Sequence, residues 1–221
     1  HLPGVTYSYG FGVSGDGLVA VGLSDHAFRW TAAGGMQDLG TMGGFVSEAW
    51  AASDDGSFIT GNGDLAPPAS FYNAFRWSSA EGMMSLGTLG AASYGLAISA
   101  DGAVVVGHSY LTPSASTDRA FRWTTTFGMQ DLGTLSGATA ARALGVSADG
   151  SVVVGSSGSW AFRWTSATGM VNLGLLPGGH QAYAFGVSRD GSVVAGHGTT
   201  ADGTSVAFRW TVQNGMVPLG T

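Results

Sequence analysis

Residues 142–174 read RALGVSADGSVVVGSSGSWAFRWTSATGMVNLG, and the chain holds five imperfect copies of that pattern. Arg142 to Ser147 is expected to form a first strand and Ala148-Asp149-Gly150 a tight turn. Ser151 to Gly155 forms a second strand, Ala161 to Thr165 a third and Gly169 to Leu173 a fourth. Asp-Gly favours a hairpin turn because Gly, and to a lesser degree Asp, tolerates positive φ. No stretch carries a 3.6-residue apolar period long enough for a helix.

Phe-Arg-Trp recurs at 28–30, 75–77, 121–123, 162–164 and 208–210. Met36, Met83, Met129, Met170 and Met216 each follow their Phe by eight residues, and a Leu-Gly closes every copy. Ahead stands Ser-x-Asp-Gly, with Asp16, Asp55, Asp101, Asp149 and Asp190. Phe-to-Phe steps of 47, 46, 41 and 46 match the ~40–50 residues of one propeller blade. The expected fold is all-β: a single five-bladed β-propeller of four-stranded antiparallel blades with no strand-swapped latch. It forms one domain, 1–221, with blades near 1–40, 41–87, 88–133, 134–174 and 175–221. A blade stacked between neighbours is apolar on both faces, as in Val152-Val153-Val154. In Phe-Arg-Trp, Phe and Trp point one way and Arg the other. The repeated Asp is the expected partner of that buried Arg. Joining Leu219-Gly220-Thr221 to Leu2-Pro3-Gly4 would recreate an internal linker, so the last sheet is expected to stack on the first.

The 38 glycines imply many tight turns, yet Gly and Pro together stay below the ~25–30% of low-complexity chains. Net charge is −6 and every basic residue is Arg. Without clustered cations, neither nucleic acid nor an anionic membrane is an expected partner. No apolar run approaches the ~18 residues of a spanning helix. The absence of Cys fits an exported protein whose core needs no disulfide. A start at His1 without Met fits a form left after leader cleavage.

Ala-Phe-Arg-Trp-Thr, Gly-Met-x-x-Leu-Gly and Ser-x-Asp-Gly-Ser-Val-Val-Val-Gly resemble the HAF family of probable extracellular repeats. The naming triplet is complete at His26-Ala27-Phe28, while the other copies carry Asn73, Arg119, Trp160 and Val206 in place of His. The resemblance covers nearly the whole chain. It implies a secreted or surface-exposed bacterial protein, and no reaction.

Residues shared by all five copies serve the fold, so a site is sought where the copies differ. The residue seven before each Asp reads Tyr9, Glu48, Tyr94, Arg142 and Tyr183. If the first strand lines the axis, these ring one mouth of the channel, where phenols, a carboxylate and a guanidinium suit a sugar. The alternative is that the tyrosines pack between blades. Loops between second and third strands are expected on the same face, long at 62–73, 108–119 and 197–206. They bring Asp64, Tyr72, His108, Tyr110, Asp118, Arg119, His197 and Asp202. His180, from a fourth-to-first-strand loop, is expected to approach His108 and His197. No zinc spacing and no calcium-loop density occur, so neither metal nor cofactor is expected.

The expected function is a binding or adhesion module for a polysaccharide or surface glycan. A polysaccharide-active hydrolase or lyase is the alternative, using Glu48, or Tyr183 with His180, or Tyr110 with His108. A self-assembling surface protein is a third, suggested by a charge-poor exterior.

Overall fold

The structure, a computed structural model, describes residues 1–67, 71–113 and 117–220. Blade 1 is β1 (Tyr9–Val13), β2 (Ala20–Ser24), β3 (His26–Thr31) and β4 (Gly35–Asp38). Blade 2 is β5 (Gly43–Ala52), β6 (Phe58–Leu65), β7 (Tyr72–Ser78) and β8 (Gly82–Ser85). Blade 3 is β9 (Ser93–Ile98), β10 (Val104–Tyr110), β11 (Asp118–Thr124) and β12 (Gly128–Asp131). Blade 4 is β13 (Ala141–Val146), β14 (Val153–Ser157), β15 (Trp160–Thr165) and β16 (Gly169–Asn172). Blade 5 is β17 (Ala182–Val187), β18 (Val193–Thr199), β19 (Ser205–Thr211) and β20 (Gly215–Pro218). Each sheet pairs its own four strands in chain order, all antiparallel, so the chain is an all-β, five-bladed propeller without an exchanged latch strand.

The glycine ending Val-Val-Val-Gly has a steric cause. A Cβ at Gly22, Gly61, Gly107, Gly155 or Gly196 would lie 1.8–1.9 Å from the carbonyl oxygen of Tyr9, Glu48, Tyr94, Arg142 or Tyr183. Only glycine lets the first strand press so closely on the second. That approach fixes the backbone of the five variable residues. Immediately after it, every first strand bulges, leaving Phe11, Trp50, Leu96, Leu144 and Phe185 unpaired. First strands of successive blades lie against one another and therefore form the innermost layer.

Blades stack through one recurring interface. Val19, Val21, Ala27 and Leu39 of blade 1 meet Ala49, Ile59, Phe75 and Trp77 of blade 2. Hairpin turns add a hydrogen-bonded chain from blade to blade: Asp16 N to Asp54 O, Asp54 N to Ala100 O, Ala100 N to Ala148 O and Ala148 N to Arg189 O, at 2.9–3.0 Å. The repeated Arg does not pair with the repeated Asp. Arg29, Arg76 and Arg122 each donate Nε to the turn glycine carbonyl of the next blade, Gly56, Gly102 and Gly150, at 3.3, 2.9 and 3.1 Å. Each Asp is already engaged within its own turn. Asp149 Oδ1 accepts the Ser147 and Ser151 hydroxyls at 2.6 and 2.8 Å and the Ser151 N–H at 3.0 Å. Local Asx-turn geometry wins over the longer-range ion pair.

The seam between blades 5 and 1 departs from expectation, because the last sheet does not stack on the first as the others stack on their neighbours. Gly56, Gly102, Gly150 and Gly191 lie against Val19, Phe58, Val104 and Val152 of the preceding blade, whereas Gly17 faces open space. Ala207 is exposed, but Ala27, Ala74, Ala120 and Ala161 are fully buried. The contacts that join each earlier pair of blades are therefore missing between blade 5 and blade 1.

Candidate functional site

An arc of aromatic rings follows the axial side of the first strands. Tyr7 leans on Tyr9 at 5.9 Å between centroids, Tyr9 parallels Phe11 at 6.4 Å, and Phe11 stacks on Trp50 of blade 2 at 4.5 Å. Trp50 Nε1 donates to Asn62 Oδ1 at 2.6 Å, and Asn62 Nδ2 donates to Glu48 Oε2 at 3.4 Å. Tyr72 then meets Tyr94 at 6.0 Å across the blade 2–3 interface. Tyr94 stacks on His108 at 4.9 Å, with Tyr110 edge-on to both. Beyond them, Arg142 of blade 4 hydrogen-bonds the buried Asp118 carboxylate of blade 3. These two residues, with Ser156 and Tyr183, line a cleft of about 240 Å³. At the far end His197 lies between Tyr183 and Phe185, 5.3 Å from each.

Electrostatics distinguish the centre of the arc. Burial, reinforced by the Arg142 guanidinium and opposed by Asp118, lowers the His108 pKa to about 4. His108 is therefore neutral near pH 7, and its buried Nδ1 has no hydrogen-bond partner. Burial also raises the Tyr94 hydroxyl, aided by Tyr110, Tyr72 and Glu48, so Tyr94 remains a neutral donor. Among the described residues, no group of three or more His, Asp or Glu side chains is placed to hold a metal ion.

Of the residues singled out in sequence, Glu48, Tyr94, His108, Asp118 and Arg142 come together over blades 2 to 4. Tyr9 and Tyr183 stand at the two ends of the arc, so the five variable residues follow a curve opened at the seam. The two ends of each expected long loop are strand, and residues 68–70 and 114–116 within two of them lie outside the described residues. Asp64 pairs with Tyr72 and Tyr110 with Asp118 as ladder partners, and His108 and His197 lie inside β10 and β18. Alternating aromatic and polar residues simply continue the hairpins. The Asp64 carboxylate is occupied by the N–H groups of Phe45 and Val46 at 2.8 and 2.7 Å. Arg119 caps the Thr139 carbonyl at 2.6 Å, and Asp202 closes its own turn with Thr200 and Thr204. His180 is exposed, with Nδ1 3.3 Å from the Thr199 hydroxyl rather than between the other two histidines.

Sequence reasoning missed the bulge residues and Asn62. A signal existed: Gly10-Phe11-Gly12, Ala49-Trp50-Ala51, Gly95-Leu96-Ala97, Ala143-Leu144-Gly145 and Ala184-Phe185-Gly186 share a small–large–small register. Strand alternation already puts such a side chain on the face of its i−2 neighbour, as at Tyr9 and Phe11, and the bulge leaves it unpaired there.

No family model and no curated protein matches this chain. Among the described residues, no helix is long and apolar enough to cross a membrane. Solved structures do match. A putative TolB from Agrobacterium tumefaciens aligns at 15% identity with a TM-score of 0.66, over 98% of this chain and 81% of that one. TolB from Acinetobacter baumannii aligns at 11% identity with a TM-score of 0.60, over 96% of this chain and 53% of that one. At such identities the likeness is one of β-propeller fold.

Proposed function

We propose that this protein is a binding module that holds a carbohydrate chain along the aromatic arc. The observation carrying this is the run of exposed rings Tyr7, Tyr9 and Phe11, adjoining Trp50, with Tyr94 and Tyr110 further along the arc. Aromatic plates take the C–H faces of sugar rings, while Glu48 offers acceptors and the half-exposed Arg142 side chain offers donors for hydroxyl groups, held in place by the buried Asn62 and Asp118. The charge-poor composition and the repeat resemblance support an extracellular or cell-surface setting, where such glycans occur.

A glycan array followed by titration calorimetry tests the proposal. Wild type should bind at least one polysaccharide. Tyr9→Ala and Tyr94→Phe should each weaken it by about tenfold, or ~1.4 kcal/mol, with little change in melting temperature. Absence of binding to every glycan, or unchanged affinity in both variants, rejects the reading. The stacked Tyr94–His108 pair also supports a lyase reading. Formation of unsaturated sugar ends by wild type and not by His108→Asn would favour it.

A further inference from the structure

The chain contains four complete copies of one interface and the two halves of a fifth. Each complete copy presses a leading face against the trailing face of the next blade. Between blades 4 and 5, Val152, Val154, Ala161 and Leu173 lead, and Ala182, Ala184, Val194 and Phe208 trail. On blade 5 the corresponding leading residues Ala195, Ala207 and Arg209 are exposed, and Leu219 is 61% exposed where Leu173 is 5%. On blade 1 the trailing side is open along its first strand and at Trp30, while Phe28, the counterpart of Phe208, is 4% exposed. Gly10 has no neighbour at its Cβ position, Val13 is 62% exposed, and Trp30 is 41% exposed where Trp77 is 7%. The turn-to-turn hydrogen-bond chain likewise ends at Arg189.

We propose that the gap between blade 5 and blade 1 takes one more four-stranded sheet of this same repeat, carried in cis as a sixth blade. The occupant must offer a trailing face to blade 5 and a leading face to blade 1. Both are already defined by the four internal interfaces, and a blade of this repeat has one of each. Attachment in cis follows from the physics of a lone blade. A single repeat cannot bury its two apolar faces alone, whereas a short linker gives it an effective concentration near ~1 mM at the gap. A whole second copy would bring four further blades into the same opening. The Arg189 Nη2–Asp54 Oδ2 ion pair at 2.5 Å joins the blade 5 turn to blade 2.

The experiment compares the 221-residue chain with the same chain carrying an added copy of residues 134–174 after residue 220. The added repeat should raise the unfolding midpoint by about 10 °C and slow amide exchange over β1 by ~100-fold. Ala207→Arg or Gly10→Arg should cancel both gains, while moving the midpoint of the 221-residue chain by less than about 2 °C. A six-repeat chain that gains neither heat resistance nor protection of β1 overturns the proposal. So does a 221-residue chain in which β1 is already protected as well as β13. A 221-residue dimer dissolved by Ala207→Arg would assign the seam to a second copy instead.

Discussion

Arg76 is the most enclosed of the repeated arginines. Its Nε donates to Gly102 O, its Nη1 lies 3.1 Å from Glu81 Oε2, and its guanidinium covers the Phe58 ring at 4.0 Å. Planar shape makes this possible, since one group satisfies a backbone acceptor and stacks on an aromatic face together. Arg76→Ala should therefore destabilise the fold by roughly 2–3 kcal/mol, read by denaturant unfolding. Arg76→Lys should recover little of this, because an ammonium cannot reproduce the Nε geometry. Full rescue by lysine would mean that charge alone matters here.

At the scale of the hairpin, the same carboxylate closes all five first turns. Asp55, Asp149 and Asp190 are held down to about 2, Asp55 chiefly by the Ser57 N–H and the others chiefly by the Ser147 and Ser188 hydroxyls. Asp16 and Asp101 are lowered by Ser14 and Ser99 in the same way. Unfolded, these groups titrate near ~3.9, so the folded state binds fewer protons and its advantage is complete above that value. The advantage disappears as pH falls towards 2. His108 acts earlier, because unfolded histidine accepts a proton near ~6.5 while the folded ring resists until about 4. The melting temperature should be flat above about pH 7, decline gently from about 6.5 to 4, and drop further from about 4 to 2. His108→Asn, which copies Asn62 of blade 2, should remove the gentle decline and leave the acid drop. Scanning calorimetry across this range checks both, and a decline that survives the substitution excludes His108 as its source.

Position in the arc controls what identical residues contribute across the whole molecule. Trp123 and Trp30 occupy one repeat position, but Trp123 is 6% exposed between blades 2 and 3 and Trp30 is 41% exposed beside the seam. Trp123→Ala should cost roughly 3–5 kcal/mol, as large core truncations do. Trp30→Ala should cost about 1 kcal/mol or less by the same measurement, because little packing is lost. Equal costs would show that blade 1 is covered in solution.

Sequence alone determined the blade, its four strands and its Asp-Gly turns, because hairpins are local and five copies average out accidental residues, although the turn Asp was expected on the repeated Arg and closes its own turn instead. It also placed the variable column of Tyr9, Glu48, Tyr94, Arg142 and Tyr183, since strand alternation carries side-chain direction along the chain. Tertiary structure decided everything that depends on which blade meets which. Arg76 faces the Gly102 carbonyl, Asp118 faces Arg142, and Phe11 stacks on Trp50 only because neighbouring sheets bring distant segments into contact. The open seam was invisible for the same reason: rotation per blade is a sum over packed interfaces, and no single repeat records that sum.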